Sequence, residues 1–137
     1  MGAVKTLQAV LGRLQNSEVP ASVVFFSTVA VQTGMPFHSS VGTAKGALEG
    51  LSRSLAAELA PKIRFNVLAP SLVDTPLAEK FLNNDTKKSN AEGRHPLQRI
   101  GSPEEIAKMV AFLLGDQSSW ITAQTITIDG GIGSIKS

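Results

Sequence analysis

The sequence predicts an α/β protein in which about three parallel strands are flanked by helices. Helical and strand patterns alternate along its 137 residues in the order helix, strand, helix, strand, long connection, helix, strand, which is typical of a parallel sheet with helices on its faces. Residues 23–26 form a continuous apolar run, as strands buried on both faces do. Residues 102–105, Ser-Pro-Glu-Glu, form a strong helix start. A chain of this length is predicted to be one domain, residues 1–137.

Each element follows from its own local pattern. Apolar side chains at helical spacing predict helices over residues 3–15 and 39–60, the second ended by Pro61. A third helix is predicted to start after Ser102 and to stop at Gly115. Strand-forming runs predict strands over residues 23–26, 63–68 and 125–129, and the pair Gly130-Gly131 then predicts a turn.

Two segments carry features that packing alone does not explain. Gly42, Gly46 and Gly50 lie within the helix predicted at residues 39–60 and weaken an isolated helix by up to about 1 kcal/mol each. We therefore expect another backbone or a ligand to approach that helix closely. Residues 69–101 are polar and proline-bearing, and connections of this length are usually lids, binding loops or disordered segments.

Composition excludes several classes of protein. The net charge is only +2 and the basic residues are scattered, so we expect no nucleic-acid partner. No apolar run reaches the roughly 18 residues of a membrane span, and we expect no membrane partner. The chain has no cysteine, so disulfides are excluded and a cytoplasmic location is the default expectation. We predict no metal site.

One stretch of the chain resembles an enzyme active site. The segment from Ser27 to Lys45 is similar to the active-site stretch of the short-chain dehydrogenase/reductase family, which places a serine, a tyrosine thirteen residues later and a lysine four residues beyond. The matching positions here are Thr28, Val41 and Lys45, and the sequence contains no tyrosine. The resemblance therefore keeps the lysine, replaces serine by another hydroxyl and removes the tyrosine.

Three further motifs extend the resemblance over nearly the whole chain. Residues 64–76 are similar to the family's strand and loop beside the nicotinamide, with Ser71 where a glycine is usual. Residues 101–107 resemble its penultimate helix start, and residues 120–131 its last strand, with Ala123 in place of a glycine. Because we find no glycine-rich dinucleotide turn, the resemblance implies a partial doubly wound, Rossmann-like fold that lacks the nucleotide-binding first half.

The resemblance also implies roles for individual residues. Lys45 would hold the ribose of NAD or NADP and make the proton donor more acidic, and Thr28 would polarise a substrate carbonyl. Pro70, Val73 and Thr75 would line the nicotinamide. The substrate would be a small alcohol or carbonyl compound, set by a substrate-loop-like segment at residues 69–101. Relatives associate through the helices matching residues 3–15 and 39–60 and through the last strand, so a homo-oligomer is expected.

Valine at the tyrosine position is the main obstacle to activity. Hydride transfer to a carbonyl builds an alkoxide that must be protonated, and Val41 has no proton to give. His38 is the nearby side chain of a type that exchanges protons near neutral pH, although a solvent-facing histidine is the favoured interpretation. Three hypotheses remain open. The chain is catalytically inactive alone, it is a non-catalytic assembly or scaffold module, or it is a half-enzyme completed by a partner or by an upstream segment.

Overall fold

A computed structural model describes residues 2–135 and confirms the predicted α/β architecture. Its sheet has three parallel strands in the order β1-β2-β3, namely β1 (Ala21–Phe26), β2 (Ile63–Pro70) and β3 (Thr125–Ile128). Ala21 pairs with Ile63 at the start of β1, and Phe26 pairs with Leu68 at its end. The carboxyl ends of β1 and β2 therefore meet at one edge of the sheet.

The three long predicted helices are confirmed to within two residues at each end. They are α1 (Gly2–Gln15), α3 (Ser39–Leu59) and α6 (Pro103–Leu114). Ser102 caps α6 in a complete capping box with Glu105, and the helix ends at Gly115. A short helix, α2 (Ala30–Thr33), follows β1, and a 3₁₀ turn (Asp116–Ser118) follows α6.

The central strand β2 organises the core. Ile63, Phe65 and Val67 are at most 1% exposed, and since alternate side chains share a face they form one surface. Leu7 of α1 and Ala56 of α3 pack against that surface.

The opposite face of the sheet lies against the end of α6. Arg64 donates to the Gly115 carbonyl at 3.1 Å, and the Ser22 hydroxyl donates to the Leu113 carbonyl at 2.7 Å. Helices thus cover both faces of the sheet, as in a doubly wound fold.

The segment at residues 69–101 is more helical than the sequence suggested. It contains a 3₁₀ turn (Pro76–Ala78) and two helices, α4 (Glu79–Leu82) and α5 (Asp85–Gly93). The Asn84 side chain caps α5 by accepting from the Lys87 backbone N–H at 2.8 Å. In α5 only Ala91 is buried, so the helix has no apolar stripe and its periodicity was invisible in the sequence.

Of the two close approaches expected at the glycines of α3, by another backbone or by a ligand, that of another backbone is not seen within residues 2–135. A Cβ placed on Gly42 or Gly50 would meet no atom within 4 Å. One placed on Gly46 would meet only the Val31 side chain, at an ordinary 3.5 Å. Within residues 2–135, therefore, no backbone explains the small side chains of this helix.

A tight turn after β3 closes the sheet edge. Gly130 and Gly131 have φ values of 61° and 90°, which confirms the predicted turn. The buried Asp129 carboxylate accepts from the backbone N–H of Gly131 at 2.9 Å and of Gly133 at 3.0 Å. A Cβ on Gly133 would lie 2.5 Å from Asp129 Oδ2 and 2.7 Å from Val29 Cγ2.

Gly133→Ala should therefore destabilise the fold, because both contacts are closer than real Cβ atoms allow and one partner is a fixed carboxylate. We expect a loss of about 1–3 kcal/mol in the free energy of unfolding, measured by urea denaturation. Gly12→Ala is the matched control. It lies inside α1 with open space around its Cβ position, and should stabilise by about 0.5–1 kcal/mol. Equal effects of the two variants would contradict the crowding.

Candidate active site

The candidate site lies where β1 and β2 end. Backbone pairing continues past the strands, because Val29 N–H donates to the Pro70 carbonyl at 3.1 Å and Ser71 N–H donates to the Ile128 carbonyl at 3.2 Å. Thr28 and Ser71 follow these two paired strands. Both line a groove of about 310 Å³, a size suited to a small molecule. Its other lining residues are Val29, Ala30, Met35, His38, Leu72, Phe81, Arg94, His95 and Ile132.

Thr28 presents a hydroxyl at the wall of this groove. Its Oγ1 accepts from the Ala30 backbone N–H at 3.3 Å, which fixes the oxygen and leaves the hydroxyl proton free for a ligand. The residue before it anchors the loop, since the buried Ser27 hydroxyl donates to Glu49 Oε1 of α3 at 2.5 Å. The position of Thr28 therefore depends on both β1 and α3.

Lys45 lies near the end of β1 but in a different cavity. Its ammonium donates to the Phe26 carbonyl at 2.9 Å. The side chain lines a groove of about 370 Å³ together with residues of α1 and β1. Thr28 is not among the residues that line it. The structure thus brings Lys45 and Thr28 to the same end of β1 without joining them in one cavity.

Val41 and His38 occupy the exposed start of α3. Val41 is 44% exposed and does not line the groove of Thr28. His38 stands at the N-cap of α3, and its Nδ1 lies 2.8 Å from the Pro36 carbonyl. The ring is exposed, which confirms the solvent-facing interpretation, although it also contributes to the rim of the groove.

The residues expected beside the nicotinamide are held by local backbone pairing. Pro70 is joined to Val29 as described, and Val73 forms a parallel bridge with Gly101. The Thr75 hydroxyl donates to the Val73 carbonyl at 3.3 Å. None of Pro70, Val73 and Thr75 lines the groove of Thr28, so their cofactor-binding role stays a prediction.

The structure reveals a polar pair that the sequence analysis missed. Ser71 Oγ and His95 Nε2 are 2.9 Å apart, and His95 Nδ1 is 2.7 Å from the Ala91 carbonyl. Because a carbonyl only accepts, Nδ1 carries the ring proton and Nε2 accepts from the Ser71 hydroxyl. His95 is 3% exposed. The available signal was Ser71 in place of the usual glycine, while His95 lies in a segment without a motif.

The segment after His95 is fixed by an ion pair and a backbone bridge. Arg99 contacts both carboxylate oxygens of Glu105, at 2.6 and 2.8 Å, and Glu105 also accepts from the Ser102 N–H at 2.9 Å. These donors, Arg99 first, lower the pKa of Glu105 from 4.5 to about 2, and Glu105 in turn raises the pKa of Arg99. Gly101 N–H donates to the Leu72 carbonyl at 3.0 Å, so this segment is tied to the chain beside Ser71.

Two other kinds of site were searched for. The part of the chain from residue 2 to residue 135 holds no group of three or more metal-ligating side chains that could bind an ion. No helix in that same part is both long and apolar enough to cross a membrane.

The chain matches known proteins over nearly all of its length. The family model described as enoyl-(acyl carrier protein) reductase covers residues 1–133. The chain belongs to the short-chain dehydrogenase/reductase family. A tropinone reductase homologue of Arabidopsis thaliana is 41% identical over 112 residues, which are 81% of this chain and 36% of that protein. The peroxisomal 2,4-dienoyl-CoA reductase of Saccharomyces cerevisiae is 34% identical over 133 residues, 96% of this chain and 45% of that one.

A solved structure agrees with this assignment to the short-chain dehydrogenase/reductase family. The 3-oxoacyl-(acyl carrier protein) reductase of Brucella melitensis, solved with bound NAD, superposes with a TM-score of 0.85 at 29% identity. It covers 98% of this chain, and the chain covers 48% of it. The 137 residues therefore span about half the length, or less, of the short-chain dehydrogenases they match.

Replacing Glu105 tests the ion pair beside the site. A carboxylate whose pKa is lowered on folding stabilises the fold above its ordinary pKa near 4.5, and that contribution is lost as the pH falls toward 2. Glu105→Gln keeps a capping acceptor but no charge. We expect it to be less stable than the original chain above pH 5 in urea denaturation, with the difference vanishing near pH 2.

Glu104→Gln serves as the control for this substitution. It removes a charge from the same helical turn but makes no ion pair among residues 2–135. A difference between Glu105→Gln and the original chain that persists unchanged at pH 2 would contradict the assignment.

Proposed function

We propose that residues 1–137 form the substrate-side half of an NAD- or NADP-dependent oxidoreductase that acts on a small alcohol or carbonyl compound, and that this chain alone does not turn over. The observation that carries the proposal is the groove at the end of β1 and β2. It offers a free hydroxyl proton on Thr28, while the position expected to donate a proton holds the exposed Val41. A cytoplasmic location is part of the same proposal.

The donors at this edge of the sheet suit a nicotinamide ribose. The Lys45 ammonium has three N–H groups, and one of them goes to the Phe26 carbonyl. The others can hold ribose hydroxyls, and Val73 can offer backbone groups to the carboxamide. When bound, the reduced nicotinamide supplies a hydride to a carbonyl carbon. No glycine-rich turn in the chain holds the pyrophosphate, so most fixed contacts to the dinucleotide must come from elsewhere, from a partner or from an upstream segment.

Residues that line the groove would bind and polarise the substrate. The Thr28 hydroxyl donates a hydrogen bond to the substrate oxygen, which polarises the carbonyl. Met35, Phe81 and Ile132 give the groove apolar walls, which suit the hydrocarbon part of a substrate and exclude water from it. Val41 cannot protonate the product oxygen. The arrangement therefore binds and polarises a carbonyl compound but lacks the usual proton donor.

Val41→Tyr tests whether the missing tyrosine is the sole defect. We expect no turnover of NADH or NADPH with aliphatic or aryl ketones, followed by absorbance of the reduced nicotinamide, because the variant restores a donor but no pyrophosphate site. Calorimetric titration of the original chain should show no binding of either nucleotide tighter than about 100 μM, about −5.5 kcal/mol. Turnover by the variant, or tighter binding, would overturn inactivity of the chain alone.

A second candidate function, a non-catalytic assembly module, is supported by the edge strand β1, which has β2 as its one strand partner within residues 2–135. β1 pairs with β2 on one side, and its other side borders the apolar 370 Å³ groove lined by Val23 to Phe26 and by α1. Unpaired strand edges favour pairing with another chain.

Light scattering at micromolar concentration tests assembly through this edge. An assembly module should be oligomeric, and Val24→Lys on the edge strand should shift it to monomer, while Val19→Lys, at a position already 68% exposed, should not. A strictly monomeric original chain would remove this candidate.

A further inference from the structure

We propose that Ser71 and His95 form a proton-delivering pair for a ketone or secondary alcohol bound in the groove of Thr28. The inference rests on the proposed function. In it, the pair of Ser71 and His95 takes the role of proton donor, which Val41 cannot fill. Both residues line the groove, and neither stands at a position that the family resemblance marks as catalytic.

The hydrogen-bond directions make the pair suited to moving one proton. His95 Nδ1–H is held by the Ala91 carbonyl at 2.7 Å, so the ring is oriented and Nε2 faces Ser71 at 2.9 Å. These distances are those of a hydroxyl paired with an oriented base. With neutral His95 the Ser71 hydroxyl donates to Nε2. With protonated His95 the bond reverses, Nε2–H donates to Ser71 Oγ, and the serine proton turns to the groove.

The proton balance of a reduction is then complete. A bound reduced nicotinamide would supply a hydride to the carbonyl carbon, and the Ser71 hydroxyl proton would pass to the substrate oxygen. The proton on His95 Nε2 passes to Ser71 Oγ, and the imidazole is left neutral until it takes a proton from water. Oxidation of the alcohol runs the same transfers in reverse. A serine alone is too weak an acid for this step, and the His95 imidazole is the group that returns a proton to Ser71.

The location of the pair favours it over the other histidine. His95 is 3% exposed. Gly130 packs against it, since a Cβ placed on Gly130 would lie 3.4 Å from His95 Cβ and 3.5 Å from Cδ2 of the ring. His38 is exposed and its Nδ1 is bound to a loop carbonyl, with no partner to fix Nε2 within the described part of the chain. Arg94 lines the groove of Thr28 with His95. Ser71 and His95 also line a smaller adjacent cavity with the charged side chains of Arg99, Glu105 and Asp129. Arg99 and Glu105 pair with each other, and the Asp129 carboxylate accepts from two backbone N–H groups.

The walls of the groove define the class of ligand. Thr28 and Ser71 follow adjacent strands and both line the groove, and the proposal places the substrate oxygen between their hydroxyls. The rest of the lining is mainly apolar, with Met35, Phe81 and Ile132. A ketone with a compact hydrocarbon body fits this chemistry, and cyclohexanone is a suitable probe.

Nitrogen NMR of the two histidine rings tests the pair without any cofactor. In a uniformly ¹⁵N-labelled chain, His38→Gln assigns the remaining imidazole to His95, since the sequence has two histidines. Cyclohexanone should draw the Ser71 proton away from His95 Nε2, so that the Nε2 resonance moves saturably toward that of an unbonded imidazole nitrogen. The His38 resonances of the original chain should stay fixed.

Matched serine variants identify the hydroxyl responsible. Ser71→Ala should abolish the ketone response at His95 and weaken ketone binding by about three- to tenfold. Ser71→Thr should keep the response, which separates loss of the hydroxyl from loss of packing. Ser40→Ala, on the exposed start of α3, should change nothing. Circular dichroism checks that each variant is folded.

Three outcomes would overturn the proposal: no saturable change at His95, a change at His38 alone, or an unchanged His95 response in folded Ser71→Ala. The nucleotide titration and the Val41→Tyr assay test the proposed function independently of the histidine resonances. An unresponsive His95 therefore rejects the pair and leaves the oxidoreductase proposal standing. If His95 responds to cyclohexanone but the oxidoreductase proposal fails its own tests, the groove is a carbonyl-binding site without redox chemistry.

Discussion

The parallel pairing of β1 with the buried strand β2 is the constraint on which the rest of the molecule depends. Ile63, Phe65 and Leu68 of β2 have no exposed surface, so a slip of one residue would turn apolar side chains to the wrong face and is strongly disfavoured. The fixed register in turn fixes which residues emerge together at the strand ends. Thr28 and Ser71 line one groove for this reason, although 43 positions separate them in the sequence.

Reduction of a carbonyl needs one group that polarises its oxygen and one that protonates it, and the candidate site provides for these two steps differently. Polarising an oxygen needs a donor hydroxyl, and Thr28 has one beside the groove. Protonating that oxygen needs a more acidic group, and the first turn of α3 presents only the hydrocarbon side chain of Val41 where one would be expected. The Lys45 ammonium, near the end of β1, donates to the Phe26 carbonyl.

The sequence allowed the strands and long helices to be predicted because their signals are local. The apolar run at residues 23–26, the capping box at Ser102 and Glu105, and the stop at Gly115 each reflect the interactions that form the element. Helix α5 was missed because its polar residues carry no periodic burial signal, with Ala91 alone inside.

The candidate site was predictable only in part. Thr28, Val41 and Lys45 were found through their fixed spacing. The contact between Ser71 and His95 was not, because it depends on how residues 83–95 fold back on the sheet edge and no short-range pattern encodes that path. Separate cavities for Thr28 and Lys45 are likewise a tertiary property.

The groove is assembled from short stretches that lie far apart in the sequence, at residues 28–38, 71–81, 94–95 and 132. A form of the chain in which these stretches have separated cannot present the complete groove. A molecule that occupies the groove must consequently bind the native state alone, and by mass action the free energy of unfolding rises with the logarithm of its concentration once that exceeds the dissociation constant. Cellular supply of such a molecule would then govern how long the chain survives proteolysis, whether or not any chemistry follows binding.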